Sequence, residues 1–346
     1  MHGSKLLTDV LQDVRYALTK SRREAGFTTF ALLIVGLGIG ASATIYSVVS
    51  AVLLRPLPFA QPERLAWVAN NGGEGLSSQT VQVGHFLDLK ERARSFEDMA
   101  AYFAFYGVGD SKLTGVGEPE RLSGVPVSQN FFPLLGVRPQ IGRLFEAEEC
   151  KWNGPRVVVL SHAFWQRRFA GDRGVLGRKL ILDDQPVEVV GVLPESFDFG
   201  RVFAPGTRID LFFPFPLTPE TNRWGNTLSI VGRLKPGISA ATAEAEVRDI
   251  AQRLEQEHPE RNRLRVRVTP LDEQVSGRLR PALQVLAFAV GMVMLIVCAN
   301  LSNLQLARTA ARQKEMAIRT ALGAGRARLI RQTLTESVML SVSGAL

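Results

Sequence analysis

The chain has 346 residues, of which 46% are hydrophobic and 21% are charged, and its formal net charge is +8. This composition excludes a disordered chain, a collagen-like repeat and a scaffold held by disulfides, since the sequence contains only two cysteines. The length predicts about two domains. The charged residues are unevenly distributed, however, and two long segments contain none.

The two uncharged segments are long enough to cross a membrane. Residues 27–54 contain 28 consecutive positions without Asp, Glu, Lys or Arg, and residues 281–307 contain 27. As α-helices they would be about 42 and 40 Å long, whereas the hydrocarbon core of a bilayer is roughly 30 Å thick. The sequence therefore predicts transmembrane helix 1 at residues 27–54 and transmembrane helix 2 at residues 281–307.

A cleaved signal peptide is the alternative interpretation of the first segment. A basic stretch precedes it, and Ala41-Ser42-Ala43 fits a small-residue cleavage site. The uncharged run nevertheless continues for eleven residues beyond Ala43. A signal peptide, whose apolar region spans roughly 7–15 residues, does not need that continuation. We therefore favour a span that is retained.

Two glycines in this first span predict close helix packing. Gly36 and Gly40 form a G-x-x-x-G step, which allows two helices to approach each other closely in lipid. The same letters resemble a G-x-G-x-x-A dinucleotide fingerprint, but that motif needs a preceding strand and a polar βα unit. Because the run has membrane length, the packing function is the prediction.

The distribution of charge predicts the topology. Residues 1–26 carry five basic and three acidic side chains, and residues 308–346 carry seven basic and two acidic ones. Residues 55–280 are almost balanced, with 29 basic and 28 acidic side chains. Since short basic flanks stay on the cytoplasmic side, both ends are predicted to be cytoplasmic and the middle extracytoplasmic. The positive excess then lies beside membrane lipid, and no nucleic acid partner is predicted.

The segments that flank the spans have their own patterns. Residues 1–26 predict a cytoplasmic amphipathic helix on the membrane surface, because Leu7, Val10, Leu11, Val14 and Leu18 share one face. Residues 334–346 are apolar again and predict the start of a third transmembrane helix. Roughly twelve residues of helix cannot cross a bilayer, so a truncated chain is the expectation.

The middle segment, residues 55–280, predicts a mixed α+β domain in two lobes. Ser161 is placed to cap a helix that ends at Phe169, and Ser239 to cap a long helix that ends at His258-Pro259. Strands are predicted by β-branched or alternating patterns at Arg156–Leu160, Lys179–Leu182, Val187–Leu193 and Arg265–Leu271. The aromatic stretches Tyr102–Tyr106 and Phe212–Phe215 could line a ligand groove, but core packing is favoured.

The sequence contains no motif that predicts catalysis. It has no G-x-x-x-x-G-K-[ST] phosphate loop, no H-E-x-x-H helix and no G-x-S-x-G elbow. The four histidines are scattered without metal-ligand spacing: they are His2, His85, His162 and His258. We therefore expect no catalytic residue, no metal site and no cofactor, and the chain is not predicted to be an enzyme.

The segment after the second span, residues 308–333, predicts a short basic helix on the cytoplasmic side. A mixed charged and apolar surface, closed by a glycine, lies at helical spacings and consists of Arg312, Glu315, Met316, Arg319, Leu322 and Gly323. Glu315 and Arg319 are four residues apart and can pair, and Gly323 can end the helix sharply. The alternative is that these arginines only satisfy the positive-inside preference and contact lipid headgroups.

Several strings of residues carry a resemblance to one family when they are taken in order. They are Gly36–Ala41 with Ser47–Pro58 at the first span, Val127–Pro139, Gly142–Phe145, Val159–Phe169 and Val189–Pro194 in the middle domain, and Asn300–Arg308 with Arg312–Arg326 at the second span and its loop. With these strings the chain resembles the permease subunits of MacB/FtsX-type ABC transporters. The resemblance is greatest to the long duplicated permeases of this family found in Acidobacteria.

The resemblance implies an α-helical membrane protein with a large α+β extracytoplasmic domain, a MacB-like periplasmic core, between spans 1 and 2. It implies a multi-pass permease subunit of the bacterial cytoplasmic (inner) membrane that couples cytoplasmic ATPase motion to this domain for export or mechanotransmission. The implied partners are a separate ABC ATPase subunit docked on residues 308–333, a second permease unit and a periplasmic adaptor. The alternative function is a membrane sensor or receptor with an extracytoplasmic ligand-binding domain.

Overall fold

The computed structural model describes residues 25–49, 57–71, 79–105, 110–115, 117–259, 261, 263–277 and 280–311. The predicted amphipathic helix before residue 25 and the segments predicted at residues 312–346 lie outside this range. The chain divides into two compact units. The first contains the long helices on either side of the middle segment, and the second, Pro56–Gly277, contains the β-sheet.

The helices and strands follow one another along the chain. In order they are α1 Ala25–Val49, β1 Leu65–Asn70, α2 Val83–Arg92, β2 Phe96–Phe103, β3 Ser111–Thr114, β4 Glu120–Leu122, β5 Gly124–Val127, α3 Phe131–Leu135, β6 Ile141–Gly142, β7 Val157–Leu160, α4 His162–Phe169, β8 Lys179–Leu182, β9 Gln185–Val192, α5 Phe199–Val202, β10 Leu211–Pro214, α6 Pro219–Asn222, β11 Leu228–Leu234, α7 Ala240–Glu257, β12 Val266–Pro270, α8 Leu271–Ser276 and α9 Arg280–Ala311. A 3₁₀ turn, Pro62–Arg64, leads into β1.

The helical unit contains α1 and α9, which have 25 and 32 residues and pack against each other. Within α1, the hydroxyls of Ser42 and Thr44 each donate a 2.8 Å hydrogen bond to the carbonyl four residues earlier, so these polar groups are satisfied inside the helix. Among the described residues, one stretch is long and apolar enough to cross a membrane, Pro281–Asn300 of α9.

The second unit is built on a 12-stranded sheet of described residues. Its order is β12-β1-β11-β2-β5-β10-β7-β9-β8-β3-β4, with β6 paired to β9. Most neighbours are antiparallel, and the pairs β5–β10 and β7–β9 are parallel. The strands that we expected in two lobes therefore belong to one sheet.

The local predictions for the middle segment agree with the structure at most positions. The hydroxyl of Ser161 accepts a hydrogen bond from the Phe164 N–H at 3.3 Å, and that of Ser239 accepts one from the Thr242 N–H at 3.1 Å. Both N-caps are thus confirmed. The strand predicted at Arg265–Leu271 ends one residue earlier, because Pro270 has no N–H for the ladder and Leu271 begins α8.

Three hydrophobic clusters cover the two faces of the sheet. The first is rich in aromatic rings and includes Phe59, Tyr102 and Phe203. Tyr102 is only 1% exposed, so the preference for core packing over a ligand groove is confirmed for this ring, whereas Phe212 is equally buried but also lines a cleft. The second cluster lies between the sheet and helices α2 and α7, and the third lies under α4.

Candidate functional site

The residues predicted to dock an ATPase lie outside the described part of the chain. They are Arg312, Glu315, Met316, Arg319, Leu322 and Gly323, and their role stays a prediction. The two glycines predicted to pack a neighbouring helix, Gly36 and Gly40, lie on α1.

One close contact between α1 and α9 is made at Gly38. A Cβ atom added to Gly38 would lie 3.2 Å from the Met294 Sδ and 3.6 Å from the Val297 Cγ1, both on α9. A Cβ atom added to Gly40 would meet nothing within 4 Å. Gly38 is therefore a close-packing position of α1 against α9. The packing function of the Gly36–Gly40 step stays a prediction.

In the sheet unit, both links to the long helices leave from the same end of the sheet. Strand β1 begins at Leu65, opposite Arg233 of β11, and β12 ends at Pro270, opposite Ala66 of β1. We call this end the base. It consists of the incoming segment, Leu57–Arg64, and the outgoing helix α8 together with the groups that hold them.

Arg233 connects the incoming segment to the sheet and to α3. Its side chain lies on β11 and the residue is only 8% exposed. The Nε and Nη2 atoms donate hydrogen bonds of 3.1 and 2.6 Å to the Leu134 carbonyl, and Nη1 donates one of 3.3 Å to the Gln61 carbonyl. The Leu134 carbonyl lies in the last turn of α3, where the negative end of the helix dipole favours a cation.

The electrostatic surroundings of Arg233 explain why its guanidinium donates hydrogen bonds to carbonyl groups rather than to a carboxylate. Burial lowers the pKa of Arg233, and the nearby Arg64 guanidinium lowers it further, while Glu97 and Glu63 act in the opposite direction. Arg64 is itself ion-paired with Glu97, and its Nε donates a 2.8 Å hydrogen bond to the Leu234 carbonyl. Guanidinium remains protonated in proteins, so the base keeps a buried positive charge.

A close backbone contact also holds the incoming segment to α3. The Ala60 N–H donates a 3.2 Å hydrogen bond to the Leu135 carbonyl. Gly136, which ends α3, has φ = 75°. A Cβ atom added there would lie 2.5 Å from the Ala60 Cβ, well inside contact distance. Glycine is therefore required both for the backbone conformation and for the approach.

The incoming segment and the outgoing helix enter the same hydrophobic cluster. The Phe59 ring stacks on Phe203 with centroids 6.0 Å apart and lies 6.2 Å from Phe197. Leu271 of α8 is fully buried in that cluster, and Val275 packs against it. Helix α8 also packs on the 3₁₀ turn of the incoming segment and on β1. The two links are therefore fixed to one core.

Sequence reasoning missed this base. The signal was present in the strand Leu228–Leu234, where one arginine interrupts an otherwise apolar or small run. A charged residue in a buried strand is rare unless it is paired or hydrogen-bonded. What the sequence cannot indicate is that its acceptors come from Gln61 and Leu134, which are more than ninety positions away along the chain.

Two titratable groups of the sheet unit have strongly shifted pKa values. Burial, with Arg261 and His258 contributing, lowers the pKa of His85 to about 4, although Asp88 opposes the shift. Burial raises the pKa of the Cys150 thiol to about 11, so it is protonated and unreactive at neutral pH. Within the described ranges, no group of three or more His, Cys, Asp or Glu residues could hold a metal ion.

Two clefts open on the sheet unit. One, of about 660 Å³, lies where the parallel strands β7 and β9 end, and it is lined by Ser161, His162, Glu195 and Arg201 among others. The other, of about 410 Å³, lies between α7 and β12. Arg248 and Gln252 form part of its helix wall, and Arg265 and Arg267 part of its strand wall.

Residues 28–250 match the MacB-like periplasmic core domain, and residues 287–346 match the FtsX-like permease C-terminal domain. The chain belongs to the MacB/FtsX-type permease family. The macrolide export ATP-binding/permease protein MacB of Campylobacter jejuni is 27% identical over 269 residues, which are 76% of this chain and 40% of that protein. MacB of Neisseria gonorrhoeae is 24% identical over 222 residues, which are 64% of this chain and 33% of that protein.

The crystal structure of the periplasmic region of MacB from Actinobacillus actinomycetemcomitans is also similar. It covers 66% of this chain and 98% of its own, with 14% identity and a TM-score of 0.47. The chain spans about 40% of the length of the first of these curated relatives and matches their permease part. The predicted family is confirmed, and the mixed α+β core domain is the part of the predicted architecture that the family match supports.

Proposed function

We propose that the chain is the permease subunit of an ABC transporter in the bacterial cytoplasmic membrane. In this proposal α1 and α9 cross the bilayer, the sheet unit is extracytoplasmic, and the chain couples the motion of a cytoplasmic ATPase to that unit. The observation that carries the proposal is the base. Its two links, the incoming segment and α8, are held to one aromatic core of the sheet unit.

The partners of this subunit follow from its sequence. A separate ABC ATPase subunit would supply nucleotide hydrolysis, a partnership that the chain's membership of the permease family supports. Residues 308–333 would receive it through Arg312, Glu315, Met316, Arg319 and Leu322. A second permease unit would pack on the Gly36–Gly40 face of α1, and a periplasmic adaptor would bind the sheet unit. Export or mechanotransmission is the resulting activity.

The topology is tested with reporter fusions. A fusion after Gly200 should report the extracytoplasmic side, and a fusion after Gly323 should report the cytoplasm, because basic residues flank both predicted spans on the inner side. Alkaline phosphatase and green fluorescent protein give complementary signals. The same side reported by both fusions would contradict the proposal.

ATPase docking is tested by adding one positive charge to the predicted docking surface. Met316→Lys should abolish co-purification with the ATPase, because an unpaired ammonium is costly to bury in an interface. Ala317→Lys is the matched control, since it adds the same charge on the opposite side of the predicted helix. Membrane insertion should be normal in both variants. Undiminished ATPase binding by Met316→Lys would show that this surface does not dock the ATPase.

The coupling function is tested at the base by hydrogen exchange of the full chain with its ATPase. Residues 57–64 and 271–277 should keep the same protection with and without ATP, because a joint that transmits motion moves as one body. Loss of protection in these two segments on addition of ATP would mean that the base absorbs the motion instead of transmitting it.

A further inference from the structure

The free edge of β12 and the helix beside it form a groove with the geometry of a peptide-binding site. Strand β12 pairs only with β1 among the described strands, so its other edge is open. A groove of about 410 Å³ lies between this strand and α7, with Val266 of β12 on one wall and Arg248 and Gln252 of α7 on the other, and it extends to Asn71 at the end of β1. A helix beside an open strand edge is the arrangement in which proteins add an extended peptide as an extra strand.

The hydrogen bonds of β12 show which backbone groups face the groove. The Arg265 carbonyl accepts from the Asn71 N–H at 2.5 Å, and the Arg265 N–H donates to the Asn70 Oδ1 at 3.0 Å, so the backbone of Arg265 faces β1. The Val268 N–H instead donates to the Glu244 Oε2 on α7 at 3.0 Å. Because backbone groups alternate along an antiparallel strand, Val266 also turns its N–H and C=O away from β1.

The side chains of β12 alternate between the two faces of the sheet. Leu264, Val266 and Val268 are buried towards α7, whereas Arg265 and Arg267 are exposed on the opposite face of the strand. No ion pair joins either of these two arginines to a described residue. Their neighbours are occupied, since Arg263 pairs with Glu255 at 3.0 Å and Arg248 pairs with Glu244. Arg265 and Arg267 therefore leave two positive charges, two residues apart, on one face of an open strand.

We propose that this groove binds an extended segment of a partner protein that carries acidic residues at alternating positions. The segment adds to β12 as a further antiparallel strand and bonds the outward N–H and C=O of Val266. Its acidic side chains lie opposite Arg265 and Arg267, and its apolar side chains lie beside α7. Opposite charges directly across a strand pair stabilise it, which gives the site its preference for acidic segments. This surface is independent of the ATPase coupling.

Synthetic peptides test the proposal with the full-length chain in detergent. A fluorescent Thr-Glu-Val-Glu-Val-Glu-Thr peptide should bind by anisotropy and protect residues 264–268 against hydrogen exchange. A peptide of the same composition with its three glutamates adjacent should bind about tenfold more weakly, since it cannot match the alternation. Equal binding of the two peptides would mean that the arginines attract any anionic chain, and this outcome overturns strand addition.

Two variants separate charge from backbone. The double variant Arg265→Glu with Arg267→Glu should bind the acidic peptide about tenfold more weakly and should bind the basic peptide Thr-Lys-Val-Lys-Val-Lys-Thr instead. The control variant, Arg138→Glu with Arg156→Glu, makes the same charge change at exposed positions elsewhere and should not change peptide binding. Val266→Pro removes the outward N–H but no bond to β1, and should abolish binding of both peptides. Absence of peptide binding to the unmodified chain would leave the arginines as protection of the edge against aggregation and would overturn the proposal.

Discussion

Two regions of the sheet unit use arginine differently. At the base, Arg233 is buried and donates hydrogen bonds to the Leu134 and Gln61 carbonyls. At the open edge of β12, which we call the margin, Arg265 and Arg267 are exposed. The base uses its charge to fix three segments of backbone that are distant in sequence. The margin has charges that no described residue pairs. Arginine therefore stabilises the fold at the base and is available to a partner at the margin. The difference is that the arginine of the base is buried and hydrogen-bonded.

The largest difference between the two regions is expected when an arginine of each region is replaced by methionine and the free energy of unfolding is compared. Arg233→Met keeps an unbranched apolar stem but leaves the Leu134 and Gln61 carbonyls buried without this donor, and should reduce the free energy of unfolding by about 4 kcal/mol. Arg267→Met removes an exposed charge and should change it by less than about 0.5 kcal/mol. Chemical unfolding of the full chain in detergent measures both. Similar values for the two variants would contradict the comparison.

Acid should weaken the side of the sheet that carries α2 and α7 without discharging Arg233. His85 of α2 has a pKa of about 4 in the folded state, below its usual 6.5, because it is buried and lies near the positive charges of Arg261 and His258, and the nearby Asp88 only partly offsets this shift. Between these two values the unfolded state binds more protons than the folded state. Stability should therefore be full above pH 6.5 and fall as the pH decreases to about 4, by roughly 3 kcal/mol.

The variant His85→Gln identifies the source of this pH dependence. It should reduce the loss of stability between pH 6.5 and pH 4, because glutamine does not titrate. His162→Gln removes a different imidazole and serves as the control. Hydrogen exchange at pH 5 should increase in α2 and α7 before it increases in residues 57–64. The opposite order, with the base opening first, would contradict the assignment of acid sensitivity to the side of α2 and α7.

Glycine at position 136 should matter for two separable reasons, the backbone conformation and the contact with Ala60. Gly136→Ala should cost about 3 kcal/mol, and Gly237→Ala, which has a similar φ of 78° but no atom within 4 Å of an added Cβ, about 1 kcal/mol. The difference of roughly 2 kcal/mol is the cost of displacing the incoming segment. Thermal unfolding of the two variants measures it. Equal costs would mean that Ala60 moves aside freely and that the base is not tightly held.

The sequence predicts the local elements of the sheet unit far better than its functional features. The helix caps at Ser161 and Ser239 could be predicted because the capping hydroxyl and the backbone N–H that donates to it lie three residues apart. The base could not, because Arg233 reaches carbonyls of segments that only the folded sheet brings together. The order of the strands joins β12 to β1 across nearly two hundred residues, so neither the open edge nor its groove is visible in any local pattern. The close-packing glycine of α1 was missed for the same reason, since Gly38 is selected by Met294 and Val297 of α9.

The smallest expected effect concerns a backbone group of the β12 edge that α7 already occupies, the Val268 N–H. The Glu244 carboxylate accepts a hydrogen bond from the Val268 N–H and pairs with Arg248. Glu244→Gln keeps an oxygen for Val268 but loses the ion pair, and should change the free energy of unfolding by less than about 0.5 kcal/mol, because exposed ion pairs contribute little. Glu244→Ala also removes the acceptor and should cost about 1 kcal/mol, a modest value since water can reach this edge. Chemical unfolding of both variants checks the order. If Glu244→Gln proves as destabilising as Glu244→Ala, the ion pair with Arg248, and not the hydrogen bond to the Val268 N–H, holds this end of the groove. The margin would then be stabilised by its charges, as the base is.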